Sequence, residues 1–266
     1  MKDMLWRIGE ILYGAWKVIK VVLLVVVVAV VALIGWFIHD FAKDYVTVGD
    51  YTFRKGEDCA TVVSYNGTER AIVLPEEVEG LPVIYLDNFH DKSGLVEEIT
   101  IPDCVTDVNM LMGIDAPSLQ AYHVADTHPS LQEIGGAVYS RDGKTLYAYP
   151  PGRNGIAVIP EGVEHIAENA FCASAASEVV LPQSLRSIGP YALSGFRVLH
   201  ALEIPTGVEM ISEYAFAKRI GEEGWRVRLI VTEGSVAHQF ALIHGLTIKQ
   251  MLPAEAEESE ALLPAA

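Results

Sequence analysis

Three short stretches of the chain bring chemically capable residues together. Gly143-Lys144-Thr145 resembles the close of a phosphate-binding loop, in which main-chain N–H groups and a lysine cradle a nucleotide. Such a loop needs a glycine five residues before Gly143, and Val138 stands there instead. Asp142-Gly143 also reads as a turn between two strands rather than a strand-to-helix junction, so nucleotide binding is set aside. His123, Asp126 and His128 offer three potential metal ligands, but without the spacing of established sites. The run reads as a surface loop, and no metal is assigned. Cys59, Cys104 and Cys172 are an odd number without paired spacing. Cys172 directly follows Phe171 and reads as a small buried apolar residue, while a disulfide between two of the three stays open. The sequence contains no Gly-x-Ser-x-Gly elbow, no Cys-His pairing pattern and no helical His-Glu-x-x-His. It therefore reads as non-enzymatic, with no catalytic, metal or cofactor-binding residues.

Any function must instead come from a surface, and one repeated unit dominates the elements that would build it. Ile159-Pro160, Leu181-Pro182 and Ile204-Pro205 stand 22 and 23 residues apart. Three residues after each Pro comes Val163, Leu185 or Val208, and six after comes Ile166, Ile188 or Ile211. Ten and eleven after come Ala170-Phe171, Ala192-Leu193 and Ala215-Phe216. A period near 23 marks a solenoid, whose units cannot bury their apolar faces alone. Each buried aliphatic contributes roughly 1.5 to 3 kcal/mol, less in sum over one coil than its chain entropy, so several coils must fold together. Alternation before each Pro marks a short strand, which Pro ends because it has no N–H. The Ala-Phe and Ala-Leu pairs read as one turn of helix. Stacking then places Ile166 over Ile188 over Ile211.

The Ile-Pro-x-x-Val-x-x-Ile-x-x-x-Ala-Phe unit resembles the leucine-rich repeats of bacterial BspA-like surface proteins, and the resemblance covers residues 51–249. It implies a right-handed leucine-rich-repeat solenoid of short parallel strands plus short helical turns, an α/β repeat displayed outside the cell for binding. It names no ligand.

The repeat domain is expected over residues 51–250. Asn66-Gly67 is a hairpin signal between 61–65 and 71–74, and this turn reading is preferred to the glycosylation sequon that Asn66-Gly67-Thr68 also matches. Leu74-Pro75 opens a first coil and Ile101-Pro102 a second, with Val105 and Val108 in register but Met112-Gly113 in place of Ala-Phe. Leu119, Tyr122 and Val124 carry a further coil, and residues 137–149 an inserted hairpin. The C-terminal cap, 228–249, is a strand over 228–231, a helix over 235–244 closed by Gly245, and a strand over 246–249. Residues 251–266, with Glu255, Glu257, Glu258 and Glu260, are an acidic tail of disordered composition.

Residues 21–38 are 18 consecutive uncharged, almost wholly apolar residues, close to the length that spans a bilayer as a helix. No small-x-small cleavage site follows, so the stretch reads as a transmembrane signal-anchor rather than a cleaved signal peptide. Lys2, Arg7, Lys17 and Lys20 precede it and Lys43 alone closely follows, which places the N-terminus in the cytoplasm and the repeats outside. Residues 1–20 form a cytoplasmic juxtamembrane amphipathic segment, or the lower extension of one long helix, and residues 39–50 a linker. The formal net charge of -16 over 266 residues rises to -18 beyond residue 39, since four of the 19 Lys and Arg and two of the 35 Asp and Glu precede residue 40. Such a field repels nucleic acid.

Strand alternation leaves Val73, Thr100, Val158, Val180 and Glu203 pointing outward as one column. A mostly uncharged strip on an acidic protein is the candidate docking face for a protein or peptide partner. The expected function is a membrane-anchored extracellular binding or adhesion module. The alternative is a non-catalytic structural or accessory subunit of a membrane protein complex.

Overall fold

The computed structural model describes residues 44–106, 114–196, 198–216 and 227–251, together with residues 16, 26, 27 and 30. The chain divides into two compact units, Met1–Val46 and Thr47–Ala266. In the first, residues 16, 26, 27 and 30 are helical and exposed. Among the described residues no helix is long and apolar enough to cross a membrane. The span expected over 21–38 and the amphipathic segment over 1–20 fall almost entirely outside those residues, and so does the tail past residue 251.

From residue 45 the chain is built of short strands. It opens with β1 (Tyr45–Val48), β2 (Tyr51–Lys55), β3 (Ala60–Tyr65), β4 (Ala71–Val73), β5 (Glu77–Val78), β6 (Leu81–Asp91) and β7 (Glu98–Ile101). The middle holds β8 (Ala121–Val124), β9 (Leu131–Ile134), β10 (Ala137–Ser140), β11 (Thr145–Ala148), β12 (Gly155–Val158) and β13 (His165–Ile166). Then come β14 (Ala176–Val180), β15 (Ser187–Ile188), β16 (Ala201–Glu203), β17 (Met210–Ile211), β18 (Arg228–Thr232), the helix α1 (Val236–Ile243) and β19 (Ile248–Met251).

The repeat forms as its spacing requires. Each residue before a Pro sits at the end of a parallel strand, where Ile159 N–H donates to Val180 O and Ile204 N–H to Ile230 O, both at 3.0 Å. The Pro carbonyl then accepts from the residue three on: Val105, Val163, Leu185 and Val208 all close this same turn. That bond carries the +3 aliphatic side chain inward, and all four are buried. Ile166 stacks on Ile188 and Ile188 on Ile211, as expected, and Leu146 of the inserted hairpin extends the column. A second parallel ladder thus forms at the +5 and +6 positions, within a six-stranded sheet of order β17-β15-β13-β11-β10-β9. Two residues per coil leave too short an alternation to announce a strand from sequence. One buried apolar cluster runs from Ala137 through Phe171 and Phe216 to Leu246.

The expected helical turns at Ala-Phe and Ala-Leu are not helices. Phe171 N–H donates to Ala192 O at 3.0 Å and Leu193 N–H to Ala215 O at 2.9 Å, so these groups bond sideways to the next coil instead of four residues back. Asn169 and Ala173, at φ of 57° and 55°, interrupt the backbone on either side of Phe171.

The N-terminal end is closed by a five-stranded sheet of order β1-β2-β3-β6-β5. Two expectations change here. The linker over 39–50 ends in a strand, turning at Gly49 with φ 58°. Asn66-Gly67 does not close a hairpin: β3 pairs with β2 and β6, and β4 pairs with β7 in a separate sheet. Asn66 N–H donates to Asp50 O at 2.8 Å, and Gly67 lies against the Tyr65 hydroxyl where a Cβ would collide. Its smallness, rather than a positive φ, is what the site uses. The two-residue hairpin turn of this region is Glu79-Gly80, at φ of 49° and 80°, between β5 and β6. At the other end the cap follows the sequence closely, with Ser235 Oγ capping α1 by accepting from His238 N–H and Gly245 at φ 63° closing it.

Candidate binding face

Along the strands of this face, Ile72, Ile99, Tyr122, Val179, Leu202 and Leu229 are buried, so their neighbours face solvent. Val73 is 64% exposed and Val158 56%. Thr100 and Val180 are half-buried and Glu203 is exposed, which puts all five anticipated residues on the outer side. The register pairs Val73 with Thr100 and Val158 with Val180.

It does not join the five into one ladder. Strand pairing stops after β8 and again after β14, leaving three separate sheets: β4-β7-β8, β12-β14 and β16-β18-β19. At the first break the β9–β10 hairpin intervenes, and Tyr122 N–H donates to Gly136 O at 2.8 Å. At the second, the interval from Leu181-Pro182 to Ile204-Pro205 carries one residue more than the interval before it.

Four outward residues escaped the sequence reading. His123 stands beside Thr100, Ile230 beside Glu203 and Lys249 beside Ile230. Ile156, 58% exposed, precedes Val158 by two and shares its side of the strand. Period-2 alternation carried one residue further would have found Ile156; the other three lie on strands without the Ile-Pro marker. The first patch is polar, because the His123 ring lies between Glu98 and Glu133, each carboxylate oxygen 3.3 Å from a ring nitrogen. The second is apolar at Ile156, Val158 and Val180, with Glu178 beside Ile156, and the third sets Ile230 between Glu203 and Lys249. A groove of about 440 Å³ follows the second break, lined by Glu178, Val180, Gln183, His200, Glu203 and Ile230 among others.

The other residues singled out by type have structural partners. His128 is fully buried rather than in a surface loop; its Nδ1 accepts from Ser130 and Leu131 N–H, and its Nε2 donates to Val105 O at 3.1 Å. Both nitrogens are thereby engaged. Among the described residues no His, Cys, Asp and Glu group has a metal-binding arrangement. Cys59, Cys104 and Cys172 are not joined by disulfides, Cys172 is buried, and burial pushes the Cys104 thiol up. Lys144 does not meet a phosphate: Gly143, at φ 74°, turns the chain between β10 and β11, and Lys144 Nζ pairs with Glu164 at 2.8 Å. That hydrogen bond holds the Glu164 carboxyl below, and Lys144 above, their ordinary values.

Residues 156–221 match the family model described as the BspA type leucine rich repeat region, in 6 copies. No curated protein matches the chain. Among solved structures, a leucine-rich repeat protein from Eubacterium ventriosum is 11% identical, with 71% of this chain and 78% of that one covered at a TM-score of 0.41. A leucine rich cell surface protein from Faecalibacterium prausnitzii is 15% identical, with 84% and 98% covered and a TM-score of 0.32. The T. pallidum leucine rich repeat protein is 17% identical, with 70% of each chain covered, also at 0.32. Superpositions this loose carry no argument about the binding face.

Proposed function

We propose that this domain, whose residues 156–221 match the BspA type leucine rich repeat model, is a non-catalytic binding or adhesion module that docks a protein or peptide partner on the outer face of its strands. The observation that carries the proposal is the apolar cluster of exposed Ile156 and Val158 with half-buried Val180, paired to Val158, on a chain of net charge -16. Isolated surface apolar residues are common, but three β-branched residues adjoining on two paired strands make an apolar patch of the kind that interfaces cover. The module is tethered by residues 21–38 as an uncleaved signal-anchor, with its N-terminus in the cytoplasm and its repeats at the cell surface. The uncharged run and the basic residues ahead of it support this topology.

The test replaces Val158 and Val180 together by Lys in the full-length chain. Neither side chain enters the core, so the urea midpoint should hold while capture of the partner falls. Unchanged capture by the folded double variant would remove the partner from this face.

A further inference from the structure

We propose that Tyr191 and Tyr214 form an oxidative modification site, at which hydrogen peroxide and a one-electron oxidant of the haem peroxidase class couple the two rings into a dityrosine that staples adjacent coils. The site is independent of docking on the strand face.

Accessibility and pairing together select these two rings. Tyr191 and Tyr214 occupy the same place in successive repeats, each nine residues after its Pro. Among the described residues they are the only exposed tyrosines, at 38% and 49%. Their rings stack across the coil boundary, with centroids 5.8 Å apart and an interplanar angle of 18°. The main chain holds that pairing, since Tyr191 N–H donates to Tyr214 O and Leu193 N–H to Ala215 O, both at 2.9 Å. Tyr191 also sits at φ 52°, where the preceding coil has Asn169 at φ 57°. Asn tolerates that conformation, whereas a bulky ring there is strained, and such strain gathers at functional sites. Tyr51 and Tyr65 are closer, at 5.0 Å, but they are tilted by 51° and Tyr65 is 2% exposed, so an oxidant does not reach both.

The oxidant removes one electron from each phenol as the phenolic proton leaves. The Tyr214 hydroxyl donates to the carboxylate of Glu213, an acceptor already in place for its proton, and water takes the proton of exposed Tyr191. Each radical carries spin on the carbons ortho to its oxygen. One such carbon from each ring joins in the new C–C bond, and the hydrogens on those two carbons then move to the oxygens and restore both phenols. Hydrogen peroxide takes up the two electrons and two protons, its O–O bond breaks, and two waters result. Because the partners are held side by side, their coupling is unimolecular and outpaces encounters between chains.

The test treats the full-length chain in detergent with a haem peroxidase and limiting hydrogen peroxide, then digests it with trypsin. Cleavage after Arg197 leaves Tyr191 on residues 187–197 and Tyr214 on residues 198–218. Mass spectrometry should find these two peptides joined and lighter than their sum by two hydrogen atoms, at least about fivefold more abundant than any other tyrosine pair. The yield per chain should hold on about tenfold dilution, because the reaction is intramolecular. Tyr191→Phe keeps a ring in the stack but has no phenol, and it should remove this product while leaving the circular dichroism spectrum unaltered. Treatment should raise the urea midpoint of the unsubstituted chain and not that of Tyr191→Phe, since the new bond closes the loop from 191 to 214 that unfolding would otherwise open. Absence of the joined peptides, a yield that falls in proportion to dilution, or a Tyr51–Tyr65 product in excess would overturn the proposal. Equal midpoint changes in the two treated proteins would overturn the staple.

Discussion

Phe171→Ala tests the packing on which the strand face depends. The ring is 0% exposed and lies between Tyr149, stacked at 5.0 Å and 27°, and Phe196, at 5.6 Å and 31°. Truncating a buried Phe costs about 3 to 5 kcal/mol, and each lost aromatic contact adds roughly 0.5 to 1.5 kcal/mol. The neighbouring coils close only part of the space, because their main chains are tied across it by Tyr149 N–H to Ala170 O and Phe171 N–H to Ala192 O. A net loss of about 4 to 6 kcal/mol follows. With a urea slope of roughly 2 to 3 kcal/mol per molar, the midpoint falls by about 2 M. Ile156→Ala, at 58% exposure on the outer face, should move it by no more than about 0.3 M. The assay is a urea melt followed by circular dichroism on the full-length chain. Similar shifts for the two variants would mean that the inward and outward positions have been exchanged and that the proposed face is part of the core.

Other consequences are open to direct measurement. Gly152→Ala would set a Cβ 2.7 Å from both Leu119 N and Pro117 O, main-chain atoms that cannot step aside, and should cost about 1 to 3 kcal/mol in the same melt. His128→Leu strands the Ser130 and Leu131 N–H groups and the Val105 carbonyl, for a loss of about 2 to 4 kcal/mol; a neutral effect would refute its buried bonding role. Glu164 has a lowered folded pKa, so the stability from its Lys144 pair is present above the ordinary carboxylate range and lost as pH falls through the lowered value. Lys144→Met should therefore flatten the acid limb of a plot of melting temperature against pH, and an unaltered limb would contradict the pairing. Mass spectrometry of the membrane fraction should recover peptides upstream of Val21, whereas a mature chain starting near Ala42 would refute the anchor.

What could be read from sequence was whatever the repeat enforces locally. Ile-Pro fixes a strand end and Val163, Leu185 and Val208 fix the following turn, so the stack of Ile166, Ile188 and Ile211 follows from spacing alone. The cap was legible because Ser235 and Gly245 are local start and stop signals. What resisted reading depends on which distant strand a residue meets. Asn66-Gly67 carries a hairpin signal, but β3 finds stronger partners in β2 and the long β6, and the local preference yields. His128 has polar neighbours in sequence and looks exposed, yet the preceding coil brings Val105 O to its ring. Val73, Thr100, Val158, Val180 and Glu203 all lie outside the core but form no continuous ladder, because side-chain alternation is silent on whether neighbouring strands pair.

The proposal that a partner docks on the outer strand face is tested most directly by placing a photo-crosslinking benzoylphenylalanine at single positions and irradiating intact cells. Val158, 56% exposed, samples the proposed face; Met210, 63% exposed on β17, samples the second ladder at matched accessibility. A partner adduct at position 158 and none at 210 is the predicted result. An adduct at 210 with none at 158 would contradict the assignment.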